Sequence, residues 1–275
     1  MKPNGCLPAL VGVVAMLLAA GPARAAGSTA ADFLKIDPSP RSQSLGSASV
    51  AAFDDVNAQS QNPAALSGLE TPEFSLNRNR HLEGVDESFI AAGFPLGYFI
   101  DGWRTSLGFS VTHVQVAPFD AYDGFDVPAG KVSASDLALQ FSGAYRLVAR
   151  DRLSADLGVS VKHLRSRLHD SNASAMGYDL GAGIGWKPDR YLKDVQFGAG
   201  LQNLGSRMNF DQTGGRLPQV ARFGIAASPA ALENLRILAQ SDKHVDTPAR
   251  FGLGVEYRLL KLLAMRVGYR GTADW

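Results

Sequence analysis

The chain has 275 residues, of which 27 are lysine or arginine, 26 aspartate or glutamate and five histidine, for a formal charge of +1. So even a balance excludes nucleic acid as a partner, because a phosphate backbone calls for a basic patch. The one cysteine, Cys6, lies among the first 25 residues, which excludes disulfides, thiolate metal sites and a cysteine nucleophile from the rest of the chain.

Residues 1–25 read as a signal peptide: Met1-Lys2-Pro3-Asn4-Gly5, an apolar run from Ala9 to Ala20, then Gly21-Pro22-Ala23-Arg24-Ala25, with cleavage expected after Ala25. The run is shorter than the roughly 20 residues that a membrane helix needs. Losing Lys2 and Arg24 and no acid leaves 25 basic against 26 acidic residues, a mature charge of −1. No later stretch is apolar enough for a membrane helix, and strands closed into a barrel are the one other way to span a bilayer.

Residues 31–70 do not alternate. They are rich in small side chains, Ser42, Ser44, Gly46, Ser47, Ala48, Ser49, Ala51 and Ala52, and carry Asp54-Asp55 and Asn62-Pro63-Ala64. Between a signal peptide and a barrel, such a segment is a candidate interior plug. Asn62 both donates and accepts through its amide, and Pro63 fixes the next φ and biases Asn62 away from the helical region, so the pair suits a tight hydrogen-bonded bend. An ordinary surface turn is the competing reading. Asp54 and Asp55 are expected to meet barrel arginines such as Arg146 or Arg222.

From Glu73 the period is two. Leu137, Leu139, Phe141, Tyr145 and Leu147 share one parity, and Asp136, Gln140, Ser142 and Arg146 the other. Leu153, Ala155, Leu157, Val159 and Val161 oppose Ser154, Asp156, Ser160 and Lys162, and Tyr178, Leu180, Ala182, Ile184 and Trp186 oppose Asp179 and Lys187. The pattern returns around Phe197–Leu201, Arg222–Ala227, Arg250–Arg258 and Met265–Arg270. One face is therefore apolar and one polar. Segments of nine or more residues, with aromatics near their ends, favour a membrane barrel over a soluble sandwich. Arg146, Lys162, Asp179 and Arg222 then point into the lumen. The polar parity also holds many glycines, among them Gly158, Gly181, Gly183, Gly198, Gly200, Gly252, Gly254 and Gly268. These leave room for a plug or a passage, or else ease strand curvature. Polar stretches at 117–134, 169–174 and 205–217 read as the long outward loops.

Chemistry-bearing motifs are scarce. The histidines (His81, His113, His163, His169, His244) are scattered, and no H-E-x-x-H or G-x-S-x-G is present. Gly181-x-Gly183-x-Gly185 sits inside a strand and opens no helix, which argues against a nucleotide loop. Asp120, Asp123 and Asp126 resemble the start of a calcium loop, but Lys131 stands where the bidentate glutamate belongs, which favours a solvated acidic loop. The reading is non-enzymatic, with no metal and no cofactor.

Several stretches together resemble the PorV/PorQ family of outer-membrane proteins, relatives of the FadL-type channels. They are Ala31-Asp32-Phe33-Leu34-Lys35-Ile36, Arg41, Leu45-Gly46, Asp54-Asp55, Asn62-Pro63-Ala64 with Leu66 and Leu69, Leu201-Gln202-Asn203-Leu204-Gly205, and Ala264-Met265-Arg266-Val267-Gly268-Tyr269-Arg270. The resemblance covers nearly the whole mature chain. It implies an all-β, transmembrane antiparallel β-barrel over 71–275, with a short N-terminal plug at 26–70, in the outer membrane of a double-membraned bacterium. It also implies passage or binding of small hydrophobic molecules. The alternative is an interaction protein that shuttles or anchors secreted proteins, as PorV-like members do in type IX secretion. About eleven candidate strands are present, whereas single-chain bacterial barrels close with an even number. The family implies about three more, so either the barrel is truncated on its C-terminal side or the parity count misses strands.

Overall fold

The computed structural model describes residues 29–122, 127–188, 191–210, 213–232, 234–259 and 262–272. Residues 1–25, where a signal peptide is expected, and Asp123 and Asp126 lie outside them. After three 3-10 turns and one short helix, α1 (Pro40–Ser44), the described residues form thirteen strands. They are β1 (Glu73–Arg80), β2 (Val85–Pro95), β3 (Thr105–Tyr122), β4 (Pro128–Arg150), β5 (Leu153–Leu168), β6 (Ser171–Trp186), β7 (Leu192–Gly205), β8 (Met208–Phe210), β9 (Thr213–Gly215), β10 (Val220–Pro229), β11 (Leu235–His244), β12 (Arg250–Leu259) and β13 (Leu263–Thr272).

Eleven of them make one antiparallel sheet in sequence order, with the small β8–β9 hairpin inserted between β7 and β10. The all-β antiparallel expectation therefore holds, but closure does not. The sheet is open, with β1 and β13 each paired on one side only. Eleven alternating strands leave the first and the last running the same way, so an antiparallel ladder between them is excluded.

Two further expectations change. Residues 117–134 and 169–174 are largely strand, because β3, β4 and β6 run on past the apolar band. A ladder needs backbone pairing and not an apolar face, so polar residues continue it. Conversely β11 escapes a simple parity reading because Leu238, adjacent to Ile237, is apolar on the covered side, where it is 1% exposed.

The two faces of the sheet are chemically inverted relative to a soluble protein. The bare face carries Phe141 at 64% exposure, Val159 at 56%, Leu253 at 55% and Val267 at 67%. The other face holds buried Gln140, Ser160, Lys162, Asp179, Gln202, Arg222, Gln240 and Glu256. What covers it is the chain's own N-terminal segment. Leu45, Ala48, Ala51, Ala52, Phe53, Ala58, Ala64 and Ala65 cluster with Ala226 and Leu238 of β10 and β11. Val56, Leu66 and Leu69 pack with Phe89, Ala91 and Ala144 of β2 and β4. A third cluster joins Phe33 to Val114, Ala138, Leu164, Ala173 and Ala175, under Met208 of the hairpin and Leu217 after it.

The sheet must curl round this segment. Ten strand spacings of about 4.8 Å put β1 and β13 roughly 48 Å apart if flat. Yet Asn79 of β1 donates to the Pro38 carbonyl at 3.3 Å, and Gly46 backbone lies against Gly268 of β13. Eight residues reach about 28 Å at most, and α1, inside that span, shortens the reach further.

Candidate functional site

Asn62, Pro63 and Ala64 sit at the centre of the covered face. Asn62 is extended (φ −152°, ψ 106°), as a residue before proline prefers, and Pro63 opens the 3-10 turn Pro63–Gly68. The Asn62 Oδ1 accepts from the Ala64 N–H at 3.0 Å, while Nδ2 donates to the Val50 carbonyl at 2.9 Å and to that of Ala182, in β6, at 3.0 Å. One fully buried amide thus closes a local bend and ties it to the sheet. The approach is permitted by glycine: a Cβ at Gly181 would stand 2.1 Å from Asn62 Oδ1, and one at Gly158 2.2 Å from the Ala64 nitrogen.

Gln61 and Gln240 extend the contact. Gln240 Nε2 donates to Gln61 Oε1 at 2.8 Å, and its Oε1 accepts from the Val50 N–H at 2.7 Å. Gln61 in turn donates to Asp37 at 3.1 Å and to Ser42 at 3.0 Å. Burial pushes the Asp37 carboxyl above its ordinary range, against the pull of hydrogen bonds from Ser42 and Ser39.

Asp54 is expected to find Arg146 or Arg222; it finds neither. It accepts from Arg41 at 3.2 Å, from Arg236 of β11 at 2.6 Å and from Arg258 of β12. Burial raises the Asp54 carboxyl, but Arg236 and Arg41 outweigh it and hold the group well below the usual carboxylate range. Burial likewise opposes the Arg41 charge, and Asp54 and Glu256 more than restore it. Glu256, 1% exposed, accepts from Arg41 at 2.9 Å, Arg266 at 2.6 Å and Arg258 at 3.0 Å. Asp55 stays local, capping the turn Val56–Ser60 through the Asn57 N–H at 2.9 Å, with Arg41 at 3.5 Å.

The other sequence-named charges pair within the sheet. The register sets Arg146 opposite Asp156, and the two bond at 2.8 Å. Lys162 meets Asp179 at 2.8 Å and Asn203 at 3.0 Å. Arg222 meets Asp242 at 3.1 Å and Gln202 at 2.8 Å. The Leu201–Gly205 stretch acquires a physical role here. Gln202 donates to the Ser60 carbonyl at 2.7 Å, and Asn203, in the left-handed region at φ 59°, binds Lys162, Asp179 and the Pro218 carbonyl. Sequence reasoning did not single out Arg41 as a partner of Asp54, nor Arg236 or Glu256. Charges on the covered parity of β11 and β12 are the signal that points to them.

Next to Phe53 and Asp54 a cavity of about 680 Å³ opens toward the ends of β4–β7, lined also by Glu70, Arg146, Asp156 and Asp194. Its charges are mixed. Among the described residues no cluster of three His, Asp or Glu side chains could hold a metal ion, and no helix is long and apolar enough to cross a membrane. The arrangement is one of fixed hydrogen bonds and ion pairs. No protein-family model matches the chain, and no curated protein does.

Proposed function

We propose that the chain is an outer-membrane protein of the PorV/PorQ type, non-enzymatic, which binds small hydrophobic molecules or passes them across the membrane, with residues 29–70 as its plug. The observation that carries the location is the inverted sheet, with large apolar side chains exposed along one face of all eleven strands and charges buried on the other. In water the bare face is an aggregation liability, and against hydrocarbon it is the stable arrangement. The resemblance supplies the hydrophobic ligand. One feature favours it physically: the covered face turns apolar at Val114, Ala138, Leu164 and Ala175, where Phe33, Met208 and Leu217 lie over it. Displacing that cover would offer an apolar wall to a ligand.

The test uses the full chain refolded in detergent and in vesicles, with a fluorescent fatty acid as probe. Asn62→Ala with Pro63→Gly is expected to leave the sheet folded and to change probe uptake or binding. Unchanged uptake, with the segment shown displaced by proteolysis, would remove residues 29–70 from function. A second reading, an anchor or shuttle for secreted proteins, is favoured by the unpaired edges of β1 and β13, which offer backbone hydrogen bonds to an added strand. Co-purification of secreted proteins, lost on blocking those edges, would support it.

A further inference from the structure

The apolar band of the bare face ends abruptly on β5. Its outward residues are Leu157, Val159 and Val161, then His163, Arg165 and Arg167, all exposed. The cations begin toward the end of the sheet that carries the β8–β9 hairpin. Across the ladder His113 of β3 is opposite Leu137 of β4, Leu137 is opposite Arg165, and Ser135 is opposite Arg167. These five residues and Asp136 line a depression of about 210 Å³. Asp136 has the covered-face parity, and its carboxyl is engaged there by the Ser166 hydroxyl.

Neither Arg165 nor Arg167 has an ion pair or a side-chain hydrogen bond among the described residues. Arg78 and Arg80, exposed on β1 at the same end, differ: Asp86 lies 3.2 Å from one and 3.7 Å from the other. Side chains two residues apart on a strand leave the backbone about 7 Å from each other, within reach of one phosphate for two arginines. Their guanidinium groups are forks suited to the oxygens of a phosphate, which one can hold bidentately while the other adds charge. Wholly in water such a pair is simply solvated. Here it stands at the border of an apolar band, at the level where a lipid-facing sheet meets headgroups.

We propose that Arg165 and Arg167, with His113 and Ser135 beside them, bind the phosphate of a membrane lipid in the leaflet nearest the β8–β9 hairpin. The inference rests on the lipid-facing reading of the sheet, and its experiment separates the two. The full chain is first refolded into phosphatidylcholine vesicles and its strands tested for protease protection. Failure to insert would sink the lipid-facing reading and this site with it. The inserted protein is then extracted and its retention of phosphatidic acid compared with that of diacylglycerol, which has the same chains without the phosphate, by native mass spectrometry. Wild type is expected to hold phosphatidic acid about tenfold more tightly, equivalent to about 1.4 kcal/mol. Arg165→Gln with Arg167→Gln should remove that preference while insertion stays intact. Inserted wild type and variant with equal preference would overturn the site. Full displacement by inorganic phosphate would overturn the lipid as its occupant.

Discussion

The approach of the N-terminal segment to the sheet is measured by what a single added methyl group would meet. At Gly158 a Cβ would lie 2.2 Å from the Ala64 nitrogen and 2.5 Å from the Pro63 carbonyl carbon; at Gly198 it would lie 2.1 Å from the Val50 carbonyl oxygen. These are backbone atoms, held by the Asn62 and Gln240 hydrogen bonds, so no flexible side chain can move aside. Gly158→Ala and Gly198→Ala should each cost about 1–3 kcal/mol from overpacking. Gly143 is the control: nothing lies within 4 Å of its added Cβ, and alanine there should be neutral or stabilise by about 0.5–1 kcal/mol through the chain entropy that glycine loses. The assay is denaturant unfolding in detergent, followed by tryptophan fluorescence, beside limited trypsinolysis at Lys35 and Arg41. The two covered-face variants should unfold earlier and be cut faster within the segment. Equal stability of all three variants, or lost stability without faster cutting, would refute the idea that glycine makes room for the segment.

Other expectations are more direct. Val159→Arg puts a charge on the bare face and should cost about 2–4 kcal/mol in vesicles if the site is near mid-membrane; a cost no larger than at exposed Lys193→Glu would count against lipid contact. Ser160→Val, on the covered face, removes the hydroxyl that bonds Gln140 at 3.2 Å and Ser142 at 2.9 Å while Gln140 keeps Ser142 and the Gln59 carbonyl, and should cost about 0.5–1.5 kcal/mol in detergent as in vesicles. Asp54→Asn should weaken the hold on Arg41, Arg236 and Arg258 by about 1–2 kcal/mol, the partial solvent access of Asp54 screening the rest. Because the folded Asp54 lies below its unfolded value, its contribution is complete above the ordinary carboxylate range and lost only as the pH falls through the lowered folded value. The stability difference between wild type and Asp54→Asn should therefore be constant from neutral pH down to about 5 and shrink below 4, as pH-dependent unfolding curves would show.

What the sequence disclosed follows from range. Parity is local, so Leu139 and Val159 on one face and Gln140 and Ser160 on the other were legible residue by residue. The Asn62–Pro63 bend was also legible, since a proline and an amide two residues from the Ala64 N–H dictate it without distant partners. Ion-pair partners were not. Arg146 answers to Asp156 because a β4–β5 register places them opposite, and register depends on turn lengths and bulges, one of which lies just beyond Arg146. Asp54 turned to β11 and β12 because the sheet curls, a property of all its strands together. The ends of β3 and β4 are polar yet regular, because the ladder between Val116 and Phe119 shifts register and then continues.

The common direction of β1 and β13 limits how this ring of strands can ever be completed. In hydrocarbon, the outward N–H and C=O groups of both edges would each lack a partner, at several kcal/mol apiece. Pulled together, the edges would mesh only as a parallel seam, slightly weaker per residue than the antiparallel ladders beside it. An alternating circle is restored only by inserting one strand, or three, never two, whatever polypeptide supplies them. The inserted strands must also be thin on their inward side. Next to β13 the lining is bare backbone, with Gly46 at φ 65° and its absent Cβ 2.3 Å from the Tyr269 carbonyl. Any closing strand that passes over Pro38–Ser47 therefore needs glycine or alanine there, with its bulk turned toward the lipid.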